Sequence, residues 1–117
     1  MKGIKNHLFN NFKWYHSTLN GLVKKIQEEG LRINSIPEFQ SKTEPWIYVS
    51  TFPFCLEKDF STFEVDLSQF DSDDTIWLDD GLPLEKRWQL RVTKNIPSKY
   101  LRLLSKEEAY SVKRCIP

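Results

Sequence analysis

One stretch of the chain places apolar residues at helical spacing. Its apolar positions, three or four residues apart, are Leu19, Leu22, Val23 and Ile26. The positions between them are mainly polar or charged, so the pattern predicts an amphipathic helix that Ser17 or Thr18 caps. Gly30 follows the last periodic residue and predicts the helix end, with Leu31 returning toward the core.

Six shorter stretches have the composition of β-strands, because they are rich in β-branched and aromatic residues or alternate apolar with polar positions. They are residues 12–16, 46–51, 63–67, 75–78, 88–92 and 100–104. These strands follow one another without repeated helical crossovers, which favours mostly antiparallel pairing. The sequence therefore predicts an α+β fold with one main helix after the first strand.

Three connecting segments complete this prediction. Residues 34–45 contain two prolines and no apolar period, and predict a long loop of the kind that often serves a site. Residues 54–59 are interpreted as one helical turn. Ser105 and Glu108 have the spacing of a capping box and predict the start of a short terminal helix.

Length and composition indicate one folded domain over residues 1–117. The chain is 39% hydrophobic and 28% charged, which excludes a disordered tail, and no apolar run approaches the roughly 20 residues of a membrane-spanning helix. The amino terminus lacks the apolar run of a secretory signal, and Cys55 and Cys115 have no metal-ligand spacing. We therefore expect a cytoplasmic protein with reduced thiols and no membrane partner.

Charge is segregated along the chain, although the net charge is only +1. Residues 1–34 carry +4, residues 35–85 carry −10 and residues 86–117 carry +7. A uniform nucleic-acid-binding stripe would lack the acidic block, so duplex binding is disfavoured. We expect the acidic and basic blocks to pack near one another.

The sequence lacks the usual motifs of metal and serine-hydrolase chemistry, including Gly-x-Ser-x-Gly, His-Glu-x-x-His and Cys-x-x-Cys. The five aspartates within residues 71–80 lack the register and terminal glutamate of a calcium loop, so no metal is expected. His16 ends a predicted strand where the predicted helix begins, beside N–H groups that would be available to an anion. Considered alone, His16 is interpreted as a structural histidine.

The order of several short motifs resembles that of the ADP-ribosyltransferase fold over residues 13–104. The motifs are Trp14-Tyr15-His16-Ser17-Thr18, a helix ending in Gly30-Leu31, Ile47-Tyr48-Val49-Ser50-Thr51, and Ile96-Pro97-Ser98-Lys99-Tyr100-Leu101. Families with this fold have a Tyr-His-Gly-Thr-like strand end, a helix ending in Gly-Leu, a tyrosine in the second strand and a late Ile-Pro segment. The order and spacing of the motifs carry the resemblance.

The resemblance implies a compact, split antiparallel β-sandwich whose two small sheets enclose a cleft for NAD. His16 would hydrogen-bond the adenosine ribose, with Ser17 and Thr18 supplying nearby polar contacts. Tyr48 would stack on the nicotinamide, a role that suits a flat ring. Without the resemblance, Tyr48 would be interpreted as a core aromatic with its hydroxyl at the rim.

Further polar residues belong to the implied site. Ser50 and Thr51 match a hydroxyl pair that often braces it. Arg32, Arg87 and Arg91 are candidates to meet the pyrophosphate, because a planar guanidinium matches phosphate oxygens in a fork. The alternative for each arginine is an ion pair with the acidic block.

Two positions depart from the family pattern. Active members place a glutamate at the start of a later strand, where it holds a ribose hydroxyl and offsets positive charge developing at the anomeric carbon. Gln89 falls near that position, and Glu85 is the nearest carboxylate before the strand, so these two residues are alternative catalytic candidates. Ser17 stands where glycine is usual, and its side chain would crowd the adenosine.

Three functions follow as alternatives. The first is a small NAD-dependent ADP-ribosyltransferase, of the kind found among toxins, phage effectors and bacterial conflict systems, which modifies a protein or nucleic-acid acceptor and releases nicotinamide. The second is a catalytically degenerate relative that keeps the cleft as a binding module for a nucleotide or a protein. The third is an interaction protein whose cleft is filled by side chains.

Overall fold

A computed structural model describes residues 13–33, 47–78, 81–83 and 86–114. These residues form a six-stranded antiparallel sheet and two α-helices, which confirms the α+β class. The strands are β1 (Trp14–Leu19), β2 (Ile47–Ser50), β3 (Phe60–Val65), β4 (Thr75–Trp77), β5 (Gln89–Val92) and β6 (Leu101–Leu103). The helices are α1 (Val23–Glu29) and α2 (Lys106–Arg114).

The sheet is divided at its middle. Its strand order is β4-β5-β2-β1-β3-β6. All neighbouring strands except β1 and β2 are joined by at least three residue pairs. Within the described ranges, β1 and β2 share one pair, Tyr15 with Ser50. The described strands therefore form one sheet, not the two sheets of the expected sandwich, and a single pair joins its halves, β4-β5-β2 and β1-β3-β6.

The first strand continues past its predicted end, and the helix begins later than predicted. β1 extends to Leu19 because its last three residues pair in register with the first three residues of β3. The prediction that Ser17 or Thr18 caps the helix was therefore wrong. A 3₁₀ turn over Asn20–Leu22 follows the strand, and the residue before α1 makes no side-chain cap.

The predicted end of the helix is confirmed. Gly30 has a φ of 78°, a left-handed value that favours glycine, and its N–H donates to the carbonyl of Ile26 at 2.8 Å. Leu31 then returns to the core, where it is 6% exposed and exchanges two backbone hydrogen bonds with Ile96.

The other predicted strands are confirmed with shifted ends, whereas one predicted helical turn was wrong. β3 begins at Phe60, three residues before its predicted start, because its first residues pair with the extended part of β1. Residues 54–59 form bends and a turn that the N–H of Phe60 closes on the carbonyl of Glu57 at 3.0 Å. The predicted loop over residues 34–45 lies outside the described residues.

The apolar side chains form clusters on both faces of the sheet. One face packs strand residues against α1 and the segment that follows it, with Trp14, Ile26, Leu31, Ile47, Val49, Phe63, Val65, Leu67, Phe70, Leu90, Val92 and Ile96 buried. The other packs against α2 through Tyr15, Leu104 and Ala109. Neighbouring residues Trp14 and Tyr15 serve opposite faces, as the period of a strand requires.

Ion pairs join the acidic and basic blocks of the sequence, as expected. Lys94 lies 3.0 Å from Asp74, and Arg102 lies 3.3 Å from Glu64. Each pair links an acid of residues 35–85 to a base of residues 86–117. Neither helix in the described ranges is long and apolar enough to cross a lipid bilayer.

Candidate functional site

A cavity of about 730 Å³ lies where β1 and β2 diverge. Residues of both strands line it, together with residues of α1, the segment after α1 and the loop after β2. Its volume falls within the range of about 300–1,000 Å³ that is typical of small-molecule sites. Among the described residues, the cleft therefore leaves room for a small molecule.

The predicted cofactor-binding residues converge on this cavity from distant parts of the chain. Those that line it are His16, Ser17, Thr18, Arg32, Tyr48 and Ser50. Gln89, one of the two catalytic candidates, lines it as well, because β5 places it directly opposite Ser50 of β2. Glu85, the other candidate, lies outside the described residues.

A side-chain hydrogen bond spans the divergence of the two strands. The Nδ1 atom of His16 lies 2.8 Å from the main-chain oxygen of Tyr48. A carbonyl oxygen only accepts, so Nδ1 carries the proton and Nε2 of the neutral ring is an acceptor. Burial lowers the pKa of His16, and the hydrogen bond to Tyr48 opposes that change in part. The imidazole is therefore uncharged at neutral pH.

The structure corrects the predicted surroundings of His16. The sequence places it at the junction of a strand and a helix, where helix N–H groups meet an anion. His16 is instead the third residue of β1, and α1 begins seven residues later at Val23. The extension of β1 along β3 separates the imidazole from the helix start.

Two serine hydroxyls of the site bind the loop that follows β2. The N–H of Cys55 donates to Oγ of Ser17 at 3.2 Å, and Oγ of Ser50 donates to the carbonyl of Phe52 at 2.6 Å. The Ser17 oxygen, which was expected to crowd a ligand, thus holds the loop in place. Thr51, unlike Ser50, is not among the residues that line the cavity. Its N–H donates to the main-chain oxygen of Trp88, directly before β5.

The predicted arginines separate into one that lines the cavity and two that do not. Arg32 lines it, with its guanidinium 3.9 Å from the carboxylate of Glu29. Nε of Arg87 donates to the carbonyl of Leu82 at 2.8 Å, and its guanidinium lies 5.8 Å from the ring centre of Trp77. Arg87 and Arg91 are not among the cavity-lining residues.

Two charged residues of α1 contribute to the lining without having been predicted. The apolar period of the helix assigned Lys25 to its solvent face and gave Glu29 no role, yet both border the cavity. Glu29 is the one carboxylate among the described lining residues, and it lies beside Arg32 rather than beside Gln89. The cavity thus has two cations at its α1 side and an amide at its β5 side.

Two aromatic rings at the cavity were also not predicted as site residues. Phe54 is 61% exposed, and its ring is nearly parallel to that of Trp88, with centres 5.9 Å apart and an interplanar angle of 12°. Both residues line the cavity. The sequence signal is the Phe-Pro-Phe run around buried Pro53, which we interpreted as the stop of a strand at Pro53 and a helical turn from Phe54.

The lining suits a ligand that has flat apolar rings and a negatively charged part. Its aliphatic walls include Leu22, Ile26, Leu31, Ile47 and Val49. Its polar side chains come from separate elements, including β1, α1, β2 and β5, an arrangement that orients a ligand.

Comparison with known proteins assigns no family to the chain. Neither a scan against protein-family models nor a search of the curated proteins finds a match.

Proposed function

We propose that the chain is a small NAD-dependent ADP-ribosyltransferase that transfers ADP-ribose to a protein or nucleic-acid acceptor and releases nicotinamide. The observation that carries this proposal is the convergence of His16, Tyr48 and Gln89 on one cavity. These are the three positions at which the resemblance expects substrate contacts, and they are separated by up to 73 residues in the sequence.

The geometry of the sheet supports the same proposal. The single pair that joins β1 and β2 leaves a cavity between the two halves of the sheet, which is where the resemblance expects the NAD cleft. The Gly30-Leu31 motif and the Ile96-Pro97 motif also meet, since Leu31 and Ile96 form a bridge. Two of the motifs whose order suggested the resemblance are therefore in contact, and one of them, Gly30-Leu31, lines the cavity.

His16 and Tyr48 bind different parts of NAD. His16 donates from Nδ1 to Tyr48, so its Nε2 offers a lone pair to a ribose hydroxyl. Tyr48 offers a flat ring to the nicotinamide. Arg32 and Lys25, which both line the cavity, offset the negative charge of the pyrophosphate.

Gln89 determines how strongly the site promotes the reaction. NAD supplies an N-glycosidic bond whose cleavage leaves positive charge on the ribose. The amide oxygen of Gln89 accepts a hydrogen bond from a ribose hydroxyl, but it does not offset that charge as a carboxylate does. We therefore expect slower turnover than a glutamate at position 89 would give.

A second candidate function is supported by a specific observation. Among the described lining residues, the one carboxylate is Glu29, and it faces Arg32 at the α1 side. A cavity of this kind binds a nucleotide without breaking it. The second candidate is therefore a binding module that retains the cleft and lacks turnover.

One pair of measurements separates the two functions. Nicotinamide release is followed by chromatography, and the melting temperature is recorded with and without NAD, for the wild type, His16→Ala and Tyr48→Ala. Tyr110→Ala is the matched control, because Tyr110 is an exposed aromatic residue that does not line the cavity. The transferase predicts release that both site variants lose and the control keeps.

The remaining outcomes are equally specific. A melting temperature raised by NAD without release identifies the binding module, since a ligand specific to the folded state stabilises it. If NAD causes neither nicotinamide release nor a shift in melting temperature, both functions are contradicted. Undiminished release in His16→Ala and Tyr48→Ala contradicts the site assignment.

A further inference from the structure

Phe54 and Trp88 form an aromatic shelf at the cavity. Their rings are nearly parallel, and Phe54 leaves 61% of its surface in solvent. Phe52 also lies nearly parallel to Trp88, with ring centres 5.0 Å apart, which fixes the plane of the indole. The shelf is therefore an ordered aromatic surface that remains open to a further flat ring.

The shelf lies beside the end of the cavity at which the proposed reaction takes place. Trp88 directly precedes Gln89, and Phe54 lies four residues after Ser50, the partner of Gln89 across the strands. The N–H of Thr51 donates to the carbonyl of Trp88 at 3.0 Å, which ties the two segments together. A ring stacked on the shelf therefore shares the cavity with Gln89, because Phe54, Trp88 and Gln89 all line it.

Positive charge adjoins the shelf. Lys86 and Arg87 directly precede Trp88, and Lys86 is exposed. The guanidinium of Arg87 lies over the ring of Trp77, which is not part of the shelf, so Lys86, two residues before Trp88, is the exposed cation of this segment. Residues 86–92 carry three cations and no acid, although the chain as a whole is nearly neutral. Flat rings joined by negatively charged phosphates match this combination.

We infer that the acceptor is a base of a single-stranded nucleic acid, stacked on the aromatic shelf with its phosphates near Lys86 and Arg87; this inference rests on the proposed function. A duplex keeps its bases within the stack, whereas a single strand presents them to an aromatic surface. In the transfer, a nitrogen of the base forms a bond to the anomeric carbon. The bond from that carbon to nicotinamide breaks, its electron pair leaves with nicotinamide, and the proton of the base nitrogen passes to solvent.

Binding of a nucleic acid is measured without NAD, so that its result does not depend on turnover. A short fluorescein-labelled single strand of mixed sequence, as DNA and as RNA, is titrated with the full chain at fixed low salt, and fluorescence anisotropy gives Kd. The variants are Phe54→Ala, Phe54→Tyr and Leu103→Ala. Leu103 is the control, because it is an exposed apolar residue on β6, at the opposite edge of the sheet from β4.

Loss of the exposed ring is expected to weaken binding by about fivefold or more, the range of one base–aromatic stack. Phe54→Tyr keeps the ring, and Leu103→Ala leaves the shelf intact, so both are expected to bind like the wild type. The inference is overturned if Phe54→Ala binds the strand as tightly as the wild type does. It is also overturned if a duplex of the same sequence binds more tightly than the single strand.

A calorimetric titration with NAD distinguishes failure of this inference from failure of the proposed function. NAD binding that persists in Phe54→Ala, together with weakened strand binding, supports both. If the wild type binds NAD but no single strand, the inference is overturned and the proposed function stands. If it binds the strand but not NAD, the proposed function fails and the acceptor role fails with it. Transfer to protein with none to the strand overturns the inference alone.

Discussion

The imidazole of His16 hydrogen-bonds the main-chain oxygen of Tyr48 at 2.8 Å, across the point where the sheet divides. In the described parts of β1 and β2, the one residue pair is Tyr15 with Ser50. Beyond that pair the strands diverge. There the imidazole of His16 supplies a hydrogen bond to the main-chain oxygen of Tyr48, so this carbonyl is satisfied. The side chain that bridges the split also lines the cavity inside it.

The stability of the protein is predicted to fall as the pH is lowered from about 7.5 to about 5.5. Burial lowers the pKa of His16 in the folded state, whereas in the unfolded chain it takes up a proton near its ordinary value of 6.5. Stability is therefore lost as the pH falls through the unfolded pKa, and the loss continues until the lower folded pKa is reached. Urea unfolding across this range measures the slope.

His16→Asn is the matched control for this pH dependence. The asparagine amide retains a donor for the carbonyl of Tyr48 but does not titrate. Its unfolding free energy is predicted to change less between pH 7.5 and 5.5 than that of the wild type. An equal slope in the two proteins would show that His16 is not its source.

Gly30→Ala is predicted to destabilise the protein by about 3 kcal/mol. The φ of Gly30 is 78°, and a Cβ there would clash with the carbonyl oxygen of Ile96 and lie 2.9 Å from the nitrogen of Ser98. Gly21→Ala is the control, because its Cβ would meet no atom within 4 Å, and we expect a change of less than about 1 kcal/mol. Similar urea midpoints for the two variants would contradict this account.

Ser105→Ala is predicted to destabilise the protein by about 1 kcal/mol through the start of α2. Oγ of Ser105 accepts from the N–H of Glu108 at 3.1 Å, and the Glu108 carboxylate accepts from the N–H of Ser105 at 3.1 Å. Ser111→Ala, at an exposed position within the same helix, is expected to change stability by less than about 0.5 kcal/mol. Thermal melts of the two variants give the comparison.

The same contacts predict how Glu108 titrates. The N–H of Ser105 lowers the pKa of Glu108, and the guanidinium of Arg102, which donates to its carboxylate at 3.0 Å, lowers it further. Arg102→Ala is therefore expected to move that pKa upward in an NMR titration. A pKa that stays unchanged in Arg102→Ala would contradict the contribution of the ion pair.

Features of the fold that depend on neighbouring residues were predicted from the sequence. The end of α1 at Gly30 and the capping box at Ser105 and Glu108 are each determined by a few adjacent residues, so their signals are local. The length of β1 was not predicted correctly. It depends on pairing with β3, which lies about 40 residues away, and that pairing overrides the local preference of Ser17 and Thr18 for a helix cap.

The candidate site was predicted in part for a similar reason. The order of the motifs identified His16 and Tyr48, which the structure brings to one cavity. The aromatic shelf was not predicted, because Phe54 and Trp88 are 34 residues apart and stack only when β2 and β5 are paired. The position of Lys25 at the cavity was not predicted. The apolar period of a helix distinguishes core-facing from solvent-facing residues, but it does not show which solvent-facing residues border a cavity.

Gln89→Glu is predicted to raise the rate of nicotinamide release by about tenfold or more. A carboxylate at that position offsets the positive charge that develops on the ribose, which an amide does not. Gln89→Ala is the control and is expected to release nicotinamide more slowly than the wild type. If Glu85 is the third residue instead, Glu85→Ala abolishes release and Gln89→Glu leaves it unchanged.

The central claim is that His16 and Tyr48 bind one molecule of NAD in the cavity between β1 and β2, and calorimetric titration with NAD tests it most directly. We predict saturable binding at one site in the wild type and in Tyr110→Ala, with affinity reduced by about tenfold in Tyr48→Ala. Absence of binding to the wild type, or equal affinity in the wild type and Tyr48→Ala, would contradict the claim.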